Sequence, residues 1–218
     1  MWQDLHESLK TENFTVLAVA EDSGGVEVAR PWIEAASPSY PCLIDVDHRL
    51  AALYGMVNVP QGVWIDEEGR IVRPPETAGY TDHFRRMDPV TRALPPEAAA
   101  ARAAVRAAYM DAVRDWVRTG RHALDPAVAR AKLPEITPEK ALADANFRLG
   151  IWLRRAGREE EAMEFLAEAS RLHPDSWNFW RQAADKNETG LAAGPEFWER
   201  VSALGDRAYY PQPDLPGF

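Results

Sequence analysis

Apolar positions in the first eighty residues alternate between helical and extended spacing. Apolar residues at 2, 5 and 9 predict a helix over 2–10, and the apolar run 14–20 is typical of a buried parallel strand. The pattern continues with a predicted helix over 26–36, a strand over 40–46, a helix over 48–54 and a hairpin of strands 62–66 and 70–73. This order indicates an α/β layer with one mixed sheet.

The pattern changes beyond a proline-punctuated connector that runs from Pro74 to about Pro96. Alanine, arginine, glutamate and leucine then dominate at helical spacing. Predicted helices cover 97–119, 126–132, 138–156, 158–172, 175–187 and 195–204. We therefore predict an α/β domain over 1–80, a linker over 81–96, an all-α domain over 97–208 and an irregular tail over 209–218.

The composition argues against several classes of partner and location. The 218 residues carry a net charge of −9, which argues against nucleic-acid partners and against docking on anionic membranes. No apolar run reaches the roughly 18 residues that span a bilayer, and the N-terminus lacks the features of a signal peptide. A cytoplasmic location is the corresponding expectation.

The cysteine and histidine residues indicate neither a dithiol centre nor a metal site. Cys42 is the single cysteine, so the chain has neither an intrachain disulfide nor a dithiol of its own. Cys42 falls in a predicted buried strand, where apolar surroundings make a thiol inert. The five histidines show no zinc-ligand spacing, and we predict no metal and no cofactor.

The segment 54–70 carries a family resemblance. A helix end is followed by Val59-Pro60, by the apolar strand Val63-Trp64-Ile65-Asp66 and by a turn with Gly69. Over 1–80 this order resembles the cis-proline region of redoxins, the thioredoxin-like proteins of the ResA/TlpA type. The resemblance implies a thioredoxin-like fold that is incomplete at its N-terminus, a cis Val59–Pro60 bond, and ancestry among thiol–disulfide oxidoreductases.

The same resemblance implies a Cys-x-x-Cys dithiol that faces the proline, and this sequence has none. In the family, the dithiol precedes the helix whose later part corresponds to 2–10. The chain is then either a redox-inactive module or a piece whose nucleophile lies upstream. In a specific version of the second case, the upstream nucleophile is selenocysteine and Met1 is a false start. Family members also carry an acid after the first strand, and Glu21 lies near that position, although Ser23 aligns with it. A solvated acidic loop is the favoured interpretation of Glu21.

The helical half contains a second resemblance. Small and turn residues occur at Gly150, Gly157, Ala162, Ala169 and Pro174, a spacing that resembles a tetratricopeptide (TPR) hairpin over about 143–176. Such helices imply a protein or peptide partner. The nearby aromatic residues, which a core explains better than a ligand site, are Trp177, Phe179, Trp180, Phe197 and Trp198.

Two functional hypotheses follow. The first is a redox-inactive thioredoxin-like module that binds protein or acts as a scaffold, and it includes a homodimer that covers the exposed sheet edge. The alternative is a thiol or selenol oxidoreductase or peroxidase whose nucleophile lies upstream. Candidate site residues are Val59 and Pro60 at the cis-proline position, together with Cys42 and Glu21.

Overall fold

The computed structural model describes residues 1–88, 91, 93–187 and 190–215. The first part contains α1 (Trp2–Ser8), β1 (Ala18–Ala20), α2 (Val26–Ala36), β2 (Cys42–Ile44), α3 (Arg49–Tyr54), β3 (Gln61–Ile65) and β4 (Ile71–Thr77). A 3₁₀ helix (Asp82–Arg86) precedes α4 (Pro96–Thr119), α5 (Pro126–Ala131), α6 (Pro138–Arg155), α7 (Glu159–Leu172), α8 (Trp177–Ala183) and α9 (Pro195–Ser202). An α/β portion is thus followed by a helical one, as predicted.

The strands form two separate pairs. β1 and β2 are parallel, with Ala18 opposite Cys42, whereas β3 and β4 are antiparallel, with Gln61 opposite Thr77. The prediction of one mixed sheet is therefore wrong for the described part of the chain. β1 is paired along one edge only, and no described strand connects it to β3.

The second hairpin strand is longer than predicted. β4 continues to Thr77 through Pro74 and Pro75, which the sequence assigned to the connector. Proline lacks an N–H donor, but a strand with a single neighbour has an edge that needs no donor. Arg73 is buried in this strand, and its guanidinium binds the Glu76 carboxylate in a bidentate manner at 2.9 Å. That paired charge explains how an arginine can lie in the interior.

The largest core crosses the predicted linker. It combines α1, the hairpin, α4 and the C-terminal tail through the buried residues Leu5, Leu9, Trp64, Ala78, Tyr109, Met110, Ala112, Val113 and Leu215. Within it the indole nitrogen of Trp64 donates to the Tyr109 hydroxyl at 2.9 Å. The domain boundary stays a prediction, but the two parts share a core. In the tail, described residues 209–215 form no helix or strand, and positions 216–218 lie outside the described residues.

α6 and α7 form a tightly crossed antiparallel hairpin. A Cβ atom at Gly150 would lie 2.7 Å from Cγ of Leu166 and 3.1 Å from the Ala162 carbonyl oxygen. Ala162 and Ala169 are fully buried in the same contact. Small residues therefore occupy the crossing, as the sequence pattern predicted. Among the described residues, no helix combines the length and apolar character needed to cross a membrane.

The aromatic residues of the last helices pack as a core. Trp177, Val201 and Tyr209 are buried together, with Trp180 and Phe197 packed against them. Phe179 instead stacks on Phe147 of α6, with ring centroids 4.4 Å apart. The core interpretation of these aromatic residues agrees with the packing, which connects α8 and α9 to the tail.

Candidate functional site

Two acidic residues meet at the carboxyl end of the parallel strands. Glu21 directly follows β1, and Asp45 directly follows β2. Parallel strands in register end at the same edge, and open α/β sheets bind ligands at that edge. The Asp45 carboxylate accepts the Leu50 amide at 2.5 Å, which fixes the start of α3 beside the strand ends.

His48 precedes α3 in an unusual conformation and environment. Its backbone is left-handed, with φ 52°, and its side chain is 4% exposed. Neither ring nitrogen has a hydrogen-bond partner among the described residues, although buried polar groups normally have one. The ring lies edge-on to Phe147, with centroids 5.2 Å apart. Burial lowers the pKa of His48, so the imidazole is held neutral.

Glu21 faces this imidazole. Its side chain is also 4% exposed, and Oε2 lies 3.8 Å from Nδ1 of His48. Nδ2 of Asn178 in α8 donates to the same carboxylate oxygen at 3.0 Å. Burial, followed by the nearby Asp45 charge, raises the pKa of Glu21 to about 7, while Arg181 opposes that rise. A carboxyl group with this pKa can donate or accept a proton near neutral pH.

The adjacent loop contains the predicted proline. The Val59–Pro60 peptide bond is cis, the conformation that the family resemblance implies. Just before it, the Val57 carbonyl oxygen accepts the amides of Trp177 at 2.7 Å and Asn178 at 3.2 Å. The Gln61 side chain in turn accepts the Val57 amide at 2.9 Å. The N-terminus of α8 is therefore docked on the loop.

Both main-chain polar groups of Val59 are also bonded within the chain. Its amide donates to Oδ1 of Asn58 at 2.9 Å, and its carbonyl oxygen accepts the Tyr210 hydroxyl at 3.2 Å. The Asp82 carboxylate holds this part of the tail by accepting the Tyr209 amide at 2.7 Å and the Tyr210 amide at 2.6 Å. The tail thus contacts the backbone that precedes Pro60 through the Tyr210 hydroxyl, although the Val59 side chain stays exposed.

Arg181 connects these parts. It donates to Oδ1 of Asn58 at 2.8 Å and also contacts the Tyr209 hydroxyl. Asn58 is itself buried and donates from Nδ2 to the Tyr209 carbonyl oxygen at 3.2 Å. A single polar network therefore extends from Glu21 through α8 to the cis-proline loop and the tail.

The structure separates the two remaining candidates from the sequence. Glu21 lies within this network with its side chain buried, so the expectation of a solvated acidic loop is wrong for this residue. Cys42 is the first residue of β2 and lies at the opposite end of the strand from Asp45. The prediction of a buried Cys42 is wrong, because the two-stranded sheet is incompletely covered and the residue is only partly buried. Its sulfur lies 3.8 Å from the Tyr40 carbonyl oxygen. Ser23, the residue that aligns with the family's acid, donates to Gln182 in α8 at 2.8 Å.

Sequence reasoning missed His48, Asn178, Arg181 and the tail tyrosines. Of these, His48 carried a usable signal, because it follows Asp45 just beyond a predicted parallel strand. The other residues reach the site only through tertiary contacts between positions more than a hundred residues apart in the sequence, such as Asn178 with Glu21.

The described residues contain no group of three or more histidine, cysteine or acidic side chains that could hold a metal ion. The site therefore contains a buried acid, Glu21, that can exchange a proton near neutral pH. It also contains a cis-proline loop whose backbone groups are hydrogen-bonded to other parts of this chain. Comparison with known family models, curated proteins and solved structures finds no match for this chain.

Proposed function

We propose that this chain is a thioredoxin-like module of the ResA/TlpA type that binds protein or acts as a scaffold and does not exchange thiols by itself. The order of elements, the cis bond before Pro60 and the hairpin that follows it support the relationship. The single cysteine, placed at the amino end of β2, supports the lack of redox activity.

The occupied loop is the observation that carries this proposal. In thioredoxin-like proteins, the backbone before the cis-proline pairs with the substrate chain. Here the Val59 amide and carbonyl are both bonded internally, and Val57 accepts two amides from α8. A substrate would have to displace the Asn58 side chain and the Tyr210 hydroxyl before it could pair with Val59, and Val57 already holds α8. We therefore assign the loop a role as an internal docking surface.

The exposed side of α6 is the surface that we assign to a partner. Leu142, Leu149 and Trp152 are spaced by seven and three residues, which places them on one helix face, and they are 53%, 40% and 59% exposed. The opposite face is buried against α7 through Phe147 and Ile151. A TPR-like hairpin with this apolar stripe suits a protein or peptide with apolar side chains.

A turbidity assay of insulin reduction separates binding from catalysis. With dithiothreitol as the reductant, we expect the chain to give the same rate as dithiothreitol alone. Cys42→Ser is expected to change nothing, because Cys42 begins β2, at the strand end opposite to Asp45. Acceleration by the native chain that disappears in Cys42→Ser would refute the proposal.

Light scattering tests whether a second copy is the partner. A homodimer would appear at about twice the 24.4 kDa chain mass. If the α6 stripe forms its interface, Trp152→Ser should shift the mass towards the monomer, whereas the exposed Ile136→Ser outside α6 should not. A native monomer at high concentration would exclude the homodimer and leave a different protein as the partner.

One observation favours an oxidoreductase as the second candidate. Glu21 lies at the carboxyl end of β1 with a pKa of about 7, which suits an acid that transfers protons to and from a thiol or selenol. The test is the coding sequence on the 5′ side of Met1. An in-frame Cys-x-x-Cys or selenocysteine equivalent would support this candidate, and unrelated sequence would remove it.

A further inference from the structure

A cavity of about 470 Å³ lies on the helical side of the cis-proline loop. Val57, Asn58 and Gln61 form one wall, and residues from 174 to 211 form the other. Its size is in the range of pockets that hold small organic ligands. The network described above uses some of these residues, but it leaves this space open.

The apolar part of the lining is aromatic and aliphatic. Trp177 and Tyr209 are buried with ring centroids 4.4 Å apart, and Leu204 and Pro174 complete the surface. Such a lining favours a ligand with a flat or bulky apolar body.

The charged part of the lining is positive. Arg200 and Arg207 line the cavity together with a single acid, Asp175. The Arg207–Asp175 contact is long, at 3.8 Å, and both side chains are exposed, so this pair is weak. On a chain with net charge −9, a locally positive cavity is a distinctive feature.

Arg200 is held in place for binding. Its guanidinium carbon lies 5.0 Å from the Trp177 ring centroid and 5.6 Å from that of Trp180. Its Nη2 donates to the carbonyl oxygen of Pro174, which fixes the guanidinium beside the cavity lining. A planar guanidinium fixed on an indole is suited to a carboxylate.

We propose that this cavity binds a small organic carboxylate with an aromatic or other apolar body. The carboxylate pairs with Arg200 and Arg207, and the apolar body packs against Trp177, Tyr209 and Leu204. The inference does not depend on the proposed function, because it uses neither the thiol chemistry nor the α6 stripe.

Calorimetric titration with 3-phenylpropionate and with its neutral amide tests the proposal. The acid should bind at least about tenfold more tightly than the amide, which has the same shape and lacks the charge. Equal affinity for the two compounds, or no binding of the acid, would overturn the proposal. Displacement of the acid by equimolar inorganic phosphate would overturn the apolar part of the specificity.

Charge variants provide a test that is independent of folding losses. Asp175→Asn removes the opposing carboxylate, so binding of the acid should tighten several-fold, a gain that a damaged protein cannot mimic. Glu67→Gln removes one negative charge at the exposed hairpin turn, beyond the end of β3 opposite to Gln61, and is the charge-matched control that should change nothing. Arg207→Gln should weaken binding about tenfold. Equal affinities for native, Asp175→Asn and Arg207→Gln chains would contradict the assignment.

Discussion

Replacing Glu21 by glutamine tests the buried acid that lies between the two parts of the chain. Glutamine keeps the size of the side chain and can still accept the Asn178 hydrogen bond, but it cannot ionise. The groups that face Glu21 are Asp45, His48 and Arg181, and all of them remain in the variant. The variant therefore isolates the ionisation of one carboxyl group.

The magnitude follows from linkage. The pKa of Glu21 is about 7 in the folded chain, against an ordinary value of 4.5. A group with a raised folded pKa contributes stability that is fully present below the ordinary value and is lost as the pH rises through the folded value. Between pH 4.5 and 8.5 the loss amounts to about 3 kcal/mol, at 1.36 kcal/mol per pKa unit. Glu21→Gln should not show this loss.

Urea unfolding followed by tryptophan fluorescence measures the effect. The free energy of unfolding of Glu21→Gln, minus that of the native chain, should rise by about 3 kcal/mol between pH 4.5 and 8.5. Any constant cost of the substitution cancels in this change with pH. Glu67→Gln in the exposed hairpin turn is the control, and its difference from the native chain should stay flat. A flat Glu21→Gln difference would refute the idea that Glu21 is buried beside His48.

Three further predictions concern packing and the loop. Gly150→Ala should destabilise the chain by about 1–3 kcal/mol in chemical unfolding, because its Cβ would lie 2.7 Å from Leu166, whereas Gly194→Ala meets no atom within 4 Å and should have little effect. Tyr210→Phe removes the bond to the Val59 carbonyl and should cost about 1 kcal/mol of unfolding free energy. An unchanged unfolding midpoint would mean that Tyr210 does not hold the tail on the loop. Burial lowers the pKa of His48, so the folded chain loses stability as the pH falls below 6.5 and this imidazole is protonated. His48→Asn should make this loss of unfolding free energy smaller. An unchanged loss at acidic pH would contradict the burial of His48.

Local chemistry made much of the fold predictable. Gly55 ends α3 with φ 68°, and Gly120 ends α4 with φ 74°, as expected for glycine at helix ends. Asp125 caps α5 by accepting the Ala127 amide at 2.8 Å, with Pro126 in the first turn. These signals are contained within a few residues, so a single sequence is sufficient to identify them.

Properties that depend on distant partners could not be predicted in the same way. β1 and β3 belong to separate sheets. An apolar run in the sequence predicts a strand, but it does not specify which other strand will pair with it. Only part of the site could be predicted from the sequence. Glu21 follows a recognisable strand, whereas Asn178 and Tyr210 reach the site through tertiary packing. The described part of the tail, 209–215, is irregular as predicted, but the burial of Leu215 has no local signal in the sequence.

Amide hydrogen exchange at the start of α8 tests whether this helix is docked on the cis-proline loop. First-turn amides of a helix have no partner within the helix and normally exchange quickly. Here the Trp177 and Asn178 amides donate to the Val57 carbonyl, so they should be protected, whereas the exposed first-turn amide of Glu160 in α7 should exchange quickly. Exchange at Trp177 and Asn178 as fast as at Glu160 would show that the cis-proline loop is free, and would contradict its role as an internal docking surface.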